Sequence, residues 1–358
     1  MFARKSDQPS VTEETVLRAL STVMEPELHR DLVSLNMIRN LKISGNDVAF
    51  TIMLTTPACP LRGKMEHDAR AALAAVPGMG QVSIQWDSSV PADRRIGEQI
   101  GQNFRNTIAV SSGKGGVGKT TIAVNLAIAL AMEGARVGLL DADILGPNVP
   151  MMMGRQEMPP PRNRKMVPAE NFGVKFISMA FLVKPDQPLI WRGPMLHSAI
   201  RQLLTDVDWG ELDYLVVDLP PGTGDAQLTL AQVVPLSGAI VVTQPMQVAA
   251  ADAVRGLKTF EKLDVPIIGV IENMSGEFFG TGAGQQLAAT YNTPFLGTVP
   301  LDANVRIGGD SGAPIVVAYP DSTAALALRQ IARAVAARVS VLTLEAQAGN
   351  IIPIQMIH

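Results

Sequence analysis

A chain of 358 residues with 47% hydrophobic and 18% charged side chains can bury one large core and a smaller one, and is too apolar to remain disordered. A net charge of −3 and an aromatic content of 4% exclude a general attraction to nucleic acid or anionic lipid and a stacking platform for single-stranded bases. One cysteine, Cys59, excludes an internal disulfide, and neither a secretory h-region nor a membrane-length apolar run is present, so the expectation is a cytoplasmic protein.

Residues 10–87 read as a compact α+β block. Thr12 is placed to cap a helix on which Val16, Leu17, Leu20 and Val23 share a face. Strands at 33–41 and 48–55 flank the turn-rich Ser44-Gly45-Asn46-Asp47. A second helix starts near Leu61, turns Met65, Ala69, Leu73 and Val76 inward, and stops at Pro77-Gly78. Residues 82–86 are a last strand.

Residues 88–105 follow neither periodicity and read as a linker. From 106 to 345 strands alternate with helices. The strand candidates are 107–111, 136–140, 174–179, 214–218, 239–243, 266–271 and 294–299. Among the helices, 194–208 places Leu196, Ile200, Leu203, Leu204 and Val207 on one stripe. Strands that are apolar throughout, separated by helices, predict a doubly wound, mostly parallel α/β sheet covered on both faces. The Met- and Pro-rich stretch 150–168 reads as a surface loop whose methionines fill space.

The first of these strands runs into Ser111-Ser112-Gly113-Lys114-Gly115-Gly116-Val117-Gly118-Lys119-Thr120-Thr121, which holds the G-x-x-x-x-G-K-[ST] phosphate loop from Gly113 to Thr120. Such a loop works because consecutive backbone N–H groups at a helix start point at anionic oxygens. Gly113, Gly115, Gly116 and Gly118 let the backbone approach those oxygens without a Cβ clash. Lys119 belongs on the β- and γ-phosphates, the Thr120 hydroxyl on Mg²⁺, and Thr121 near the α-phosphate. Asp141 and Asp143 stand just past the C-terminal end of a strand, the edge where open α/β sheets bind ligands. Residues 214–218 form an apolar strand ending in Asp218, the Walker B form that positions Mg²⁺. The stiff Leu219-Pro220-Pro221-Gly222-Thr223-Gly224-Asp225 segment after it suits sensing of a γ-phosphate.

With Lys114 as a second lysine, this loop resembles the deviant Walker A of the MinD/ParA/nitrogenase-iron-protein class. Asp141-Ala142-Asp143-Ile144-Leu145-Gly146-Pro147-Asn148, Val217-Asp218-Leu219-Pro220-Pro221-Gly222-Thr223-Gly224-Asp225 and Ile271-Glu272-Asn273-Met274 resemble the Mrp/ApbC iron–sulfur cluster carriers over about residues 105–320. Glu25-Pro26-Glu27-Leu28, Asp31-Leu32-Val33-Ser34-Leu35 and Leu54-Thr55-Thr56-Pro57-Ala58-Cys59-Pro60-Leu61 resemble the iron–sulfur assembly-type domain often fused ahead of these ATPases. The resemblance implies a P-loop NTPase fold, ATP with Mg²⁺, and a homodimer. It implies that Lys114 reaches the partner subunit's phosphates, Asp143 orients the attacking water, Asp141 and Asp218 hold the Mg²⁺ shell, and Asn273 contacts adenine. The nucleotide would then rest on residues 113–121, Val117 included, with Lys114, Lys119 and Asp143 as the catalytic set.

The chain departs from that family pattern in one place. Cluster carriers place a C-x-x-C pair shortly after the Glu-Asn-Met segment, and residues 275–284 here contain no cysteine. Cys59 is the one thiolate on offer for an iron–sulfur cluster, paired across a dimer and completed by non-protein ligands; its place before a helix predicts a lowered thiol pKa. His29, His67, His197 and His358 are too dispersed for zinc. The leading expectation is an ATP-hydrolysing carrier that passes clusters to apoprotein clients or works with iron–sulfur assembly proteins, without nucleic acid or membrane. A MinD/ParA-like switch acting on a protein partner is the alternative. It accounts for the missing cysteine pair, but the Pro-broken tail 349–358 makes no basic amphipathic helix. A metabolic synthetase on the same fold finds no second-substrate motif.

Overall fold

The computed structural model describes residues 11–93, 96, 104–144, 146–182, 193–222 and 224–349, so half of the expected linker and all but the first residue of the apolar tail lie outside the described residues. The chain divides into two units, Met1–Val90 and Pro91–His358.

In the first unit Thr12 caps α1 (Glu13–Leu20) through a reciprocal box: the Thr15 N–H donates to Thr12 Oγ1, and the Thr12 N–H to Thr15 Oγ1. Such a cap contributes about 1 kcal/mol. A two-stranded ribbon, β1 (Met24–Glu25) with β2 (Arg30–Asp31), precedes a three-stranded sheet of β3 (Ile38–Ser44), β4 (Asp47–Leu54) and β5 (Val82–Ser88). β4 runs antiparallel to β3 and parallel to β5. The strand expected from residue 33 begins only at Ile38. Asp31 Oδ1 accepts the N–H groups of Val33 and Ser34 at 3.0 and 2.8 Å, which curls this apolar segment into a turn instead. α2 (Arg62–Ala74) buries Met65, Ala69 and Leu73 against Val16, Leu20, Phe50 and Ile52. Val76 lies past its end and is half-buried.

The second unit is built on an eight-stranded sheet. Its order is β13 (Phe295–Pro300), β12 (Ile267–Ser275), β11 (Gly238–Thr243), β6 (Phe104–Ser112), β10 (Leu212–Asp218), β7 (Val137–Asp141), β9 (Val174–Ser178) and β8 (Ala169–Asn171). All neighbours are parallel except β8, which runs antiparallel to β9. The chain is therefore the expected α/β protein with a mostly parallel sheet, each apolar strand candidate having become one of its strands.

Helix α3 (Lys119–Met132) is buried on nearly every side and packs on β6, β7, β10 and the long α11 (Thr323–Gly349). α5 (Gly193–Thr205) and α6 (Asp225–Val233) pack on each other, and α7 (Gln247–Lys262) lies on β11. The stripe Leu196, Ile200, Leu203, Leu204 and Val207 is buried in the main core beside Trp209. The Trp209 indole is satisfied there: Nε1 donates to the Leu203 carbonyl at 2.9 Å, and Phe104 meets the ring edge-on.

Except at its start, the stretch 150–168 is the surface loop its prolines suggest, with residues 154–165 irregular and largely exposed. It opens with a buried helical turn, α4 (Val149–Met152), in which Pro150 occupies the first turn, where no N–H is required. Met152 and Met153 fill the core and Met151 is exposed, so the methionines do fill space. The three-residue β8 that follows has no periodicity long enough to read.

Candidate nucleotide site

Parallel pairing brings the C-terminal ends of β6, β7, β10, β11 and β12 to one edge of the sheet, and the site is built there. β6 ends at Ser112 and α3 begins at Lys119, so the glycine-rich segment is the turn between a buried strand and a buried helix. Gly116 and Gly118 have φ of +80° and +82°, the left-handed region where only glycine is unstrained. Gly113 is required for another reason than the one expected. Its Cα faces the neighbouring helix, and a Cβ would overlap the Asp252 carbonyl of α7. Around Gly115 and Gly116 the space is open. A cavity of about 360 Å³ lies over the loop, lined by Ser112, Lys114, Gly115, Gly116, Gly118, Lys119, Thr120, Thr121, Asp143, Gly146, Asn148 and Pro221.

Four predicted side chains meet at its floor. Lys119, 5% exposed, points Nζ at Asp218 Oδ1 at 2.6 Å and lies 3.5 Å from Asp143 Oδ2. The Thr120 hydroxyl donates to Asp218 Oδ2 at 2.7 Å. Asp218 is fully buried, and burial pushes its carboxyl above the ordinary range although Lys119 and Thr120 pull the other way. Asp141, its register partner on β7, is fully buried too. Burial first, and then the Asp218 charge, push Asp141 up to about 8. Both Asp141 oxygens are already engaged: Oδ2 accepts from Ser178 Oγ at 2.7 Å and the Val149 N–H at 3.2 Å, and Oδ1 from the Asp143 N–H at 3.2 Å. Asp141 thus ties down the turn that presents Asp143.

Lys114 is half-buried on the cavity wall, has no ion pair among the described residues, and is held through its carbonyl by the Ser112 hydroxyl at 2.9 Å. Asn273, at the end of β12, donates Nδ2 to the Val117 carbonyl at 2.8 Å and packs under Gly118, where a Cβ would overlap it. It also borders a second cavity of about 350 Å³, with Thr121, Asn148, Met152, Met274, Leu301, Asp302 and Arg306 on its walls. Thr121 and Asn148 face both cavities, so a ligand could pass from the loop into this more apolar space. Ser178 and Gln244 also reach this edge, although the sequence alone assigns neither of them a role. Neither lies in a recognisable motif, and only the sheet brings them to this edge.

The segment after Asn273 forms a short closed loop. The carboxylate of Glu272, 1% exposed, accepts from Gly284 N–H at 2.7 Å, Gly282 N–H at 3.0 Å and Ser275 Oγ at 3.1 Å. Gly276 and Gly280 exchange backbone hydrogen bonds, and Phe278 stands exposed at the tip. Among the described residues no three His, Cys, Asp or Glu side chains converge as a metal cage. In the first unit Cys59 is half-buried against the core. Its thiol pKa is raised, contrary to the expectation from its place before a helix. Burial outweighs the backbone N–H groups of Leu61 and Arg62, and the Glu27 and Glu25 charges add to it.

Residues 103–336 match the family model described as NUBPL iron-transfer P-loop NTPase, and residues 13–86 match that of an iron–sulfur cluster assembly protein. An iron–sulfur cluster carrier protein of Synechocystis is 49% identical, covering 93% of this chain and 99% of the relative. Another from Deinococcus radiodurans is 51% identical, covering 92% and 97%. Among solved structures, a nucleotide-binding protein of Archaeoglobus fulgidus in complex with ADP is 34% identical and superposes with a TM-score of 0.53, covering 62% of this chain and 91% of that one. With its phosphate loop, its strand-end acids and these matches over most of its length, the chain belongs to the iron-transfer P-loop NTPase family and carries an iron–sulfur cluster assembly domain ahead of the NTPase.

Proposed function

We propose that this protein is an ATP-hydrolysing iron–sulfur cluster carrier that works as a homodimer and delivers its cargo to apoproteins. The observation that carries the reading is the Lys119, Thr120 and Asp218 cluster beneath a glycine nest, with Asp143 beside it. A buried cation facing an open anion-sized cavity, on a loop whose N–H groups have no helical partner, is suited to a triphosphate. On binding, Lys119 would leave Asp218 for the β- and γ-phosphates. The oxygen donors Thr120 Oγ1 and Asp218 fit a hard cation, and Mg²⁺ held there would neutralise charge between the two phosphates. Asp143 would orient the water that attacks the γ-phosphorus and accept its proton as the bond to the bridging oxygen breaks, giving ADP and phosphate. Lys114 would cross to the partner subunit and stabilise the charge that develops. The second cavity would take the nucleoside, with Asn273 bracing the loop beside it.

For the cargo, residues 275–284 offer no thiolate, and two Cys59 thiolates from a dimer supply half of a four-thiolate set. Small thiols or the client's own cysteines would complete it. The test is anaerobic reconstitution of the full chain, followed by iron, sulfide and transfer assays with an apoprotein. Bound iron and sulfide, together with ATP uptake that Lys119→Met abolishes, are the expected results. Colourless protein that still takes up ATP would sink the carrier reading and leave the ATPase standing.

A further inference from the structure

The edge of the sheet that carries Asn273 carries a second buried amide. Gln244 follows the last residue of β11 and is 6% exposed. Its Nε2 donates to the Gly116 carbonyl at 3.4 Å and to the Met274 sulfur at 3.0 Å. Together with Asn273 on the Val117 carbonyl, two side-chain amides from neighbouring strands take two consecutive carbonyls of the phosphate loop.

The geometry of a peptide unit gives this pairing a consequence. The C=O and N–H of one trans peptide point in opposite directions. Fixing the Gly116 carbonyl against Gln244 therefore aims the Val117 N–H the other way, and fixing the Val117 carbonyl against Asn273 aims the Gly118 N–H. The loop needs such restraint. Gly115, Gly116 and Gly118 have no Cβ to bias their torsions, so a peptide here can rotate at little steric cost and turn a carbonyl toward an incoming anion. The other acceptor of the same amide is also restrained. Met274 has φ of +59°, a left-handed conformation that a non-glycine residue adopts at some cost and keeps only when its surroundings hold it there. Met274 walls the second cavity.

We propose that Gln244 is a positioning residue for the nucleotide: it holds the Gly116–Val117 peptide so that its N–H faces the phosphates. The assignment rests on the nucleotide reading above.

The full-length protein tests it with two substitutions of nearly equal length, Gln244→Met, which removes the donor, and Gln244→Glu, which replaces it with an acceptor. Affinities for ATP and for inorganic tripolyphosphate are measured by calorimetry and displacement, beside the melting temperature of nucleotide-free protein. Gln244→Met should weaken ATP about tenfold, the loss of one to two hydrogen bonds. Gln244→Glu should weaken it more, since a carboxylate meets both a carbonyl and the phosphates. Tripolyphosphate should lose by the same factor, with melting unchanged in Gln244→Met. Unaltered affinity in both variants overturns the proposal, as does lower melting with unaltered affinity. Weakening confined to ATP, with tripolyphosphate spared, would put the effect in the Met274 wall and overturn it too. Wild-type protein that takes up no ATP would instead remove the nucleotide reading on which it stands.

Discussion

Lys119 neutralises Asp218 at 2.6 Å in a buried setting, and under the proposed function it would have to leave that partner for the phosphates. Lys114 has no such double duty among the described residues. Lys114→Ala should therefore leave ATP affinity and melting near wild type and slow hydrolysis by about a hundredfold or more, in line with finger-type cations. Equal turnover in single-turnover assays would remove its catalytic role. The glycines of the loop separate in the same way. Gly113→Ala should cost roughly 1–3 kcal/mol of stability, because the Asp252 backbone must shift to admit a methyl group. Gly115→Ala meets open space, so melting should hold while ATP binding weakens. Denaturant titration and calorimetry on the two variants distinguish these outcomes.

At the scale of elements, β6, β7 and β10 are tied together at the edge opposite the nucleotide loop. Asp213 on β10 accepts from the Arg136 N–H and Nε at 2.9 and 3.1 Å and from its terminal nitrogen at 2.9 Å, with Arg105 of β6 at 3.4 Å. Burial alone would raise the Asp213 pKa, but the Arg136 hydrogen bonds and charge outweigh it and hold the carboxyl below its ordinary value. A carboxylate with a depressed folded pKa stabilises fully above its unfolded pKa, near 4, and loses that contribution as pH falls through the lower folded value. Asp213→Asn should cost about 1–3 kcal/mol at pH 7 and flatten the stability profile below pH 4. Denaturant midpoints measured across that range would show it, and parallel profiles for variant and wild type would refute it.

At the scale of the molecule, the NTPase unit and the assembly unit each have their own core. Among the described residues no helix is long and apolar enough to cross a membrane. If cargo is carried on Cys59, then Cys59→Ser should cut iron and sulfide after anaerobic reconstitution by at least half, with ATP binding untouched. Its raised thiol pKa adds a condition. Cluster uptake should improve as pH rises toward the thiolate, and uptake that is flat with pH would argue against this ligand.

The extent to which the site was legible tracks how local each cause is. The glycine loop, the capped helix at Thr12 and the apolar strands are governed by torsions and hydrophobic period within a dozen residues, and the amino-acid sequence alone determined them. The helical turn at Val149–Met152 escaped because proline at a helix start looks, in sequence, like proline that breaks one. The late start of β3 escaped because one carboxylate, Asp31, captured two N–H groups that an extended chain would have left free. Long-range pairing decided the rest. Parallel register set Asp141 beside Asp218, brought Ser178 from 37 residues away onto Asp141, and delivered Asn273 and Gln244 to the loop's carbonyls. The Cys59 pKa likewise depended on how deeply the fold buried the thiol. Residue types and spacing name the groups capable of chemistry, but hydrogen bonding and desolvation act across space, and only the tertiary structure decides which groups are paired, which are buried, and which face a ligand.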